Sequence, residues 1–315
     1  MMAKLKQGLQ DYGTILAGLL IVAVFSLLSP DKFCTLDNFI NISRQISLLV
    51  VISMGATLIM IVDEFDLSIG AMASLGGVLA AILAVQGQPS WVYFGLPLLV
   101  CFALGLVNGL IVTHFGVLSF ISTLAMNTIL TGFIYRLTGG GAVFQQIPAA
   151  FGRLGNGTVG RIPYLTLVML ALTVVLWLAM TRLIVGRRLY AIGGNRQAAR
   201  MAGLPIRRCT SLAFGLCALL AAGCGVLLAS RLGSAQPTAG EGYFLQAYAA
   251  VFLGRTVFKG GVPNIWGTFV GAAILGVISN GLTILRSPSY AQDIITGVII
   301  ILAIIVQKLG EKGAA

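Results

Sequence analysis

Few side chains in this 315-residue sequence could carry covalent chemistry: one histidine, nine carboxylates and five cysteines. His114 stands at the turn between two apolar runs, where a lone imidazole reads as a boundary residue. Cys34, Cys101, Cys209, Cys217 and Cys224 form no C-x-x-C pair, and four of them lie in or beside apolar runs. They read as small packing residues rather than a redox or metal centre. H-E-x-x-H, a paired-aspartate diphosphate site and a P-loop are all absent from the sequence, so no catalytic residue, metal or cofactor is expected. The densest acids are Asp63, Glu64 and Asp66, and no apolar run carries an interior acid of the kind that marks a proton relay.

Weaker, neutral chemistry is better represented. Ser119, Thr123, Asn127 and Thr131 recur every four residues, a polar stripe that drifts slowly around one helix face. Together with Asn280 they are uncharged hydrogen-bonding groups inside apolar runs. Such groups either line a route for a hydroxylated solute or bond one helix to another. Gln246 and Tyr248 are weaker candidates for the same role.

From Arg182 to Arg208 the chain carries seven arginines and no acid. At its centre, Gly193-Gly194-Asn195-Arg196-Gln197-Ala198-Ala199-Arg200-Met201-Ala202-Gly203-Leu204-Pro205 predicts a helix of about two turns: Asn195 as N-cap, Ala198 and Ala199 as helix formers, and Gly203 with Pro205 as the stop. Arg196 and Arg200, four apart, share a face that can meet acidic groups, and the small central residues suit a cleft in a partner.

Composition names the elements that must hold these groups. Hydrophobic residues make up 58% of the chain and charged residues 9%, against about 25% charged in soluble domains. So much apolar surface must face lipid, which excludes soluble enzymes, nucleic-acid readers and disordered scaffolds. Apolar gaps between charges predict ten spans, near 12–29, 45–62, 67–85, 91–113, 115–135, 162–181, 210–230, 243–258, 262–285 and 290–307. The eighth is short and ends in Arg255 and Lys259, as a broken or re-entrant segment would.

An even count puts both termini on one side. Placing them in the cytoplasm assigns thirteen of the twenty basic residues to the inside and seven (Lys32, Arg44, Arg136, Arg153, Arg161, Arg231, Arg286) to the outside, a bias carried mainly by the 182–208 loop. The net charge of +11 then reports orientation and attraction to an anionic inner leaflet rather than nucleic acid. The N-terminal apolar stretch lacks a small-x-small cleavage site before Pro30 and reads as a retained span. The expected fold is an all-α polytopic membrane protein, residues 1–315 forming one transmembrane domain with 182–208 as a cytoplasmic loop within it. The small-residue spacings Gly105 to Gly109 and Gly267 to Gly271 are expected at close helix contacts.

The run Gln197 to Gly203 resembles the E-A-A-x-x-x-G signature by which permeases of ABC importers dock on their ATPase, with Gln197 where the signature has Glu. The pattern G-N-x-x-A-A-x-x-A-G-L, starting at Gly194, resembles the form found in ribose-type sugar permeases. Asp66-Leu67-Ser68-Ile69-Gly70 is similar to the D-L-S-V-G motif of that family, and Phe120-Ile121-Ser122-Thr123-Leu124 to its F-I-A-T-L. Gly260-Gly261-Val262-Pro263-Asn264-Ile265-Trp266-Gly267-Thr268 resembles its G-G-x-G-x-x-x-G-T segment, with Asn264 in place of a glycine. Asp63-Glu64-Phe65 departs from the small residues that usually precede D-L-S.

The resemblance implies a bacterial inner-membrane permease with ten helices and cytoplasmic termini. It would be paired with a second permease subunit, driven by ATP hydrolysed in a separate ABC ATPase subunit, and supplied by a periplasmic substrate-binding protein with a monosaccharide or related neutral polyol. It also implies that Gly194, Asn195, Arg196, Ala198, Ala199, Arg200 and Gly203 form the ATPase-coupling segment. Asp66, with Ser68 and Gly70, is expected to cap the next helix; alternatively, Asp63 and Glu64 line the pathway or pair with basic residues at a gate. The external 136–161 loop, with Arg136, Arg153 and Arg161, is long enough to meet the binding protein. Rival readings are an ABC permease for a branched-chain amino acid, nucleoside or quorum-signalling sugar derivative, and a self-sufficient facilitator or secondary carrier.

Overall fold

The computed structural model describes residues 2–258, 261–295, 297–299 and 301, with side chains from Thr14 onward. Its helices are α1 (Met2–Leu28), α2 (Pro30–Phe33), α3 (Leu36–Ile61), α4 (Ile69–Val85), α5 (Ser90–Phe115), α6 (Ser119–Thr138), α7 (Gly152–Asn156), α8 (Tyr164–Arg182), α9 (Ile184–Gly194), α10 (Arg196–Met201), α11 (Ile206–Leu232), α12 (Glu241–Arg255) and α13 (Ile265–Ile284). A two-residue antiparallel ribbon, β1 (Thr158–Val159) with β2 (Ile162–Pro163), precedes α8. Residues 289–295 are helical. Residues 296, 300 and 302–307 of the expected span 290–307 lie outside the described residues, as do Lys259, Gly260, Lys308 and Lys312.

Six of these helices (α3, α5, α6, α8, α11 and α13) are long and apolar enough to cross a membrane, and the protein is an all-α polytopic membrane protein. The expected first and third spans coincide with shorter apolar helical stretches, Thr14–Leu28 of α1 and α4, and the eighth overlaps the 15-residue α12. Burial separates centre from rim. The most apolar windows of α3 and α11 are 89% and 72% buried, against 33%, 28% and 22% for α5, α6 and α8. The rim helices turn Leu99, Phe133 and Val175 outward, as a lipid-facing surface requires.

Close contacts between helices fall at the small residues. A Cβ at Gly105 would meet the Phe214 carbonyl oxygen of α11 at 2.5 Å, and one at Gly109 would overlap Ser211. Gly267 and Gly271 of α13 face Gly254 and Ala250 of α12 in the same way. Without lipid-excluded apolar burial to drive association, such backbone proximity supplies the dispersion contacts that hold the helices together. Asn264 caps α13 by accepting the Gly267 N–H at 2.7 Å.

The short α12 is explained by its neighbours. Ala235 pairs with Val143 in the 136–161 loop, and five residues later the Gly240 N–H donates to Ser74 Oγ at 2.9 Å while its Cα packs on the Gly70 carbonyl. Gly70 and Ser74 lie in the first turns of α4, roughly 16–22 Å along the helix from its Val85 end. The 233–240 segment therefore descends into the bundle, and α12 begins at depth, a broken segment of the kind its length suggests.

Candidate functional site

The arginine-rich loop folds into two helices at one end of the bundle. α10 starts where Asn195 Oδ1 accepts the Ala198 N–H at 2.8 Å, as the sequence predicts. It stops in a Schellman turn: Gly203 adopts φ +73°, its N–H bonds to the Arg200 carbonyl, and the Leu204 N–H bonds to that of Ala199. Ala199 is buried, whereas Gly194, Arg196, Ala198, Arg200 and Gly203 are exposed and Met201 projects as an apolar knob, 84% exposed. α10 thus offers a small-residue ridge flanked by guanidiniums.

α9 seats this ridge on the bundle. Gly186, Leu189 and Ile192 are buried. Gly193 lies so close to the end of α3 that a Cβ there would overlap the Ile61 carbonyl oxygen, and the Tyr190 hydroxyl donates to the Pro263 carbonyl at 3.1 Å. One further link is electrostatic. Arg196 Nη1 donates to Glu64 Oε1 at 2.8 Å, with Glu64 nearly buried (10% exposed) and Arg196 46% exposed.

Between α3 and α4, residues 62–68 form a joint whose backbone is held from three sides. α3 ends in its own Schellman turn, with Glu64 N–H on the Ile59 carbonyl and Asp63 N–H on that of Met60. Asp63 occupies the left-handed position at φ +59° and is exposed. A glycine usually stands at such a position, and Asp tolerates it because its short polar side chain bonds locally.

Asp66 is fully buried. Its Oδ1 accepts the Ser68 N–H at 2.8 Å and the Ser68 hydroxyl at 2.5 Å, so the carboxylate fixes the residue just before α4; the N-cap position itself is Ser68, which makes no side-chain cap bond. Asn108 Nδ2 donates to Ser68 Oγ at 3.1 Å from α5. The Tyr248 hydroxyl of α12 accepts the Asp66 N–H at 2.8 Å and donates to the Asp66 carbonyl at 3.0 Å. Burial pushes the Asp66 carboxyl up to about 6, against the two hydrogen bonds from Ser68 that lower it.

The polar stripe on α6 divides into two halves. Thr123 is buried and its Oγ1 accepts the Leu67 N–H at 3.0 Å, while Ser119 Oγ receives a long contact from the Phe65 N–H at 3.4 Å. This lower half ties α6 to the joint. The upper half is open: Asn127 is half-buried and makes no side-chain hydrogen bond with the described residues, and Thr131 bonds only to the Asn127 carbonyl. Asn280 is not near them. It is buried in α13 and accepts from Asn38 Nδ2 of α3 at 3.1 Å, an interhelical tie. Among the described residues, no group of three or more His, Cys, Asp and Glu could hold a metal.

Residues 38–304 match the family described as branched-chain amino acid transport system / permease component. The chain belongs to this permease family. Over 306 residues it is 37% identical to the ribose import permease protein of Escherichia coli (strain K12), covering 96% of this chain and 95% of that protein. The ribose import permease protein of Bacillus subtilis (strain 168) is 35% identical over 301 residues (95% and 93%), and the D-allose transport system permease protein of E. coli (strain K12) 34% identical over 302 residues (96% and 92%). No solved structure matches the chain significantly.

Within this permease, three residues central to the geometry are not evident from sequence. Gly193 and Gly194 look alike, yet only the first is jammed against α3. Asn108 sits alone in an apolar run; an amide at that depth is itself the signal, because it needs a partner. Tyr248, a weak pathway candidate by sequence, holds the joint.

Proposed function

We propose that this permease is the membrane subunit of an ABC importer that moves a monosaccharide or related neutral polyol across the bacterial inner membrane. ATP is hydrolysed by a separate ATPase subunit, and a periplasmic binding protein delivers the solute. The observation that carries the reading is α10: a helix capped at both ends, exposed along a small-residue ridge, and seated on the end of a central helix through α9. The full-length relatives named for ribose and allose support the cargo class. So does the engagement of the nearby acids, Glu64 with Arg196 and Asp66 with Ser68, which leaves neutral groups such as Asn127 and Thr131 for a solute.

In this reading the chain is one transmembrane domain of ten helices with cytoplasmic termini, working as a dimer. Residues 194–203 are the coupling segment, and the open flank of α6 faces the pathway or the second subunit. A push on α10 reaches α3 through Gly193 and Ile61, and the 62–68 joint through Arg196 and Glu64. Tyr248 passes the movement to α12, whose buried start rests on α4, so that the solute route opens alternately to either side. The chain itself makes and breaks no covalent bond.

Ala198→Glu and Gly203→Leu test the reading. The first puts a charge on the ridge, and the second places a branched side chain at φ +73°, where Leu is strained. Both should abolish ATPase co-purification and uptake while membrane insertion persists. Normal uptake in both variants would overturn the coupling assignment.

A further inference from the structure

Three arginines of the loop take no part in the contacts that seat α10. Arg182 ends α8, and Arg187 and Arg188 follow in the first turn of α9; all three are exposed, and no carboxylate of the described residues lies within ion-pair distance of them. At about 100° per residue, Arg187 and Arg188 fall roughly 60° and 40° to either side of Ile184. This face is turned away from the buried Gly186 and Leu189, with the buried Ile192 flanking it on the Arg188 side. Leu183 and Ile184 are 55% and 57% exposed. Above them the outward face of α8 continues as Leu170, Val174, Val175 and Leu178. Trp177, one turn before the end of α8, stacks edge-on near Trp266, an aromatic pair of the kind that marks the headgroup level of a membrane.

An apolar strip therefore runs down α8 and ends at the interfacial level in three guanidiniums that no described carboxylate pairs. An acidic protein surface would match the cations but strand Leu183 and Ile184 in a polar contact. A free phosphate would leave the apolar strip unused. We propose that the elbow between α8 and α9 holds an anionic phospholipid, its phosphate on Arg182, Arg187 and Arg188 and its acyl chains along α8. Guanidinium forks suit a phosphate diester, and basic residues beside a membrane helix favour anionic headgroups. A lipid held there pins the start of α9 while its other end carries α10.

The test is native mass spectrometry of the full-length permease in neutral detergent, titrated with phosphatidylglycerol or phosphatidylcholine of the same chains. Each arginine contributes about a fivefold preference. The wild type should hold phosphatidylglycerol about 100-fold more tightly than phosphatidylcholine, and millimolar inorganic phosphate should not displace it. The R182Q/R187Q/R188Q variant should lose that margin, and R187Q or R188Q alone about fivefold. R153Q/R161Q, at the other end of the bundle, should lose nothing. Equal binding of the two lipids, or an unchanged affinity in the triple variant, overturns the proposal. So does a variant that loses the ATPase subunit but keeps the lipid, which would assign the arginines to the protein partner. The lipid titration uses the permease alone, so its outcome is independent of cargo and energy source, and ATPase co-purification with the same variants is read separately.

Discussion

Two adjacent glycines offer a sharp test of how α9 transmits force. A methyl group at Gly193 would overlap the Ile61 carbonyl oxygen and stand 2.9 Å from its carbon, whereas one at Gly194 would meet nothing within 4 Å. The clash is with backbone at the end of a central helix, so it cannot be relieved by a side-chain rotation. Restoring contact at about 3.5 Å requires α9 to withdraw by roughly 2 Å. Overpacking of this kind costs about 1–3 kcal/mol, and the withdrawal also pulls Arg196 from Glu64. Gly193→Ala should lower thermal stability in detergent by that amount and reduce ATP-driven uptake at least ~10-fold, the scale of loss that follows misplacement by an ångström. Gly194→Ala should stay within about 0.5 kcal/mol of wild type and transport normally. If the two variants behave alike in both assays, α9 does not bear on α3 and the transmission argument fails.

Four further outcomes are expected. Asp63→Gly supplies the residue that a Schellman turn favours, so it should leave uptake unchanged and stability equal or up to about 1 kcal/mol higher; lost transport would place Asp63 in the pathway instead. Tyr248→Phe strands the buried N–H and carbonyl of Asp66 and should cost about 1–3 kcal/mol in thermal unfolding. Asp66, with its folded pKa raised to about 6, contributes most below the unfolded value near 4 and loses that contribution as pH rises through 6. Between pH 4.5 and 7.5 the wild type should therefore lose stability, by about 2 kcal/mol, relative to Asp66→Asn, which keeps the Oδ1 acceptor; a difference independent of pH would refute this. Asn127→Leu should impair uptake without loss of stability, and Asn280→Leu should do the reverse by breaking the tie to Asn38.

Much of the coupling segment is legible in the sequence because its signals are local. Asn195, Gly203 and Pro205 mark the ends of α10 by chemistry that does not depend on neighbours. α9 is harder to read: its buried face is Gly186, Leu189 and Ile192, while Arg187, Arg188 and two glycines obscure the periodicity. The acid cluster is legible only in part. The sequence leaves Asp63 and Glu64 between lining a pathway and pairing with a basic residue; in the fold Asp63 serves a backbone turn, Glu64 an ion pair with Arg196 and Asp66 the approach to α4. Periodicity also places Ser119, Thr123, Asn127 and Thr131 on a common drifting face without saying what each faces. That depends on the 62–68 joint, which reaches α6 from 50 residues or more away in the chain. The depth at which α12 begins depends likewise on the approach of Gly240 to Gly70.

The central claim is that this chain transports only when α10 is engaged by an ATP-hydrolysing partner. The direct measurement is ribose uptake into proteoliposomes holding the full-length permease with or without its ATPase and binding protein. Uptake that requires ATP and both partners, and that falls to background with Ala198→Glu, is the predicted result. Uptake by the permease alone, driven by the solute gradient and indifferent to Ala198→Glu, would contradict it.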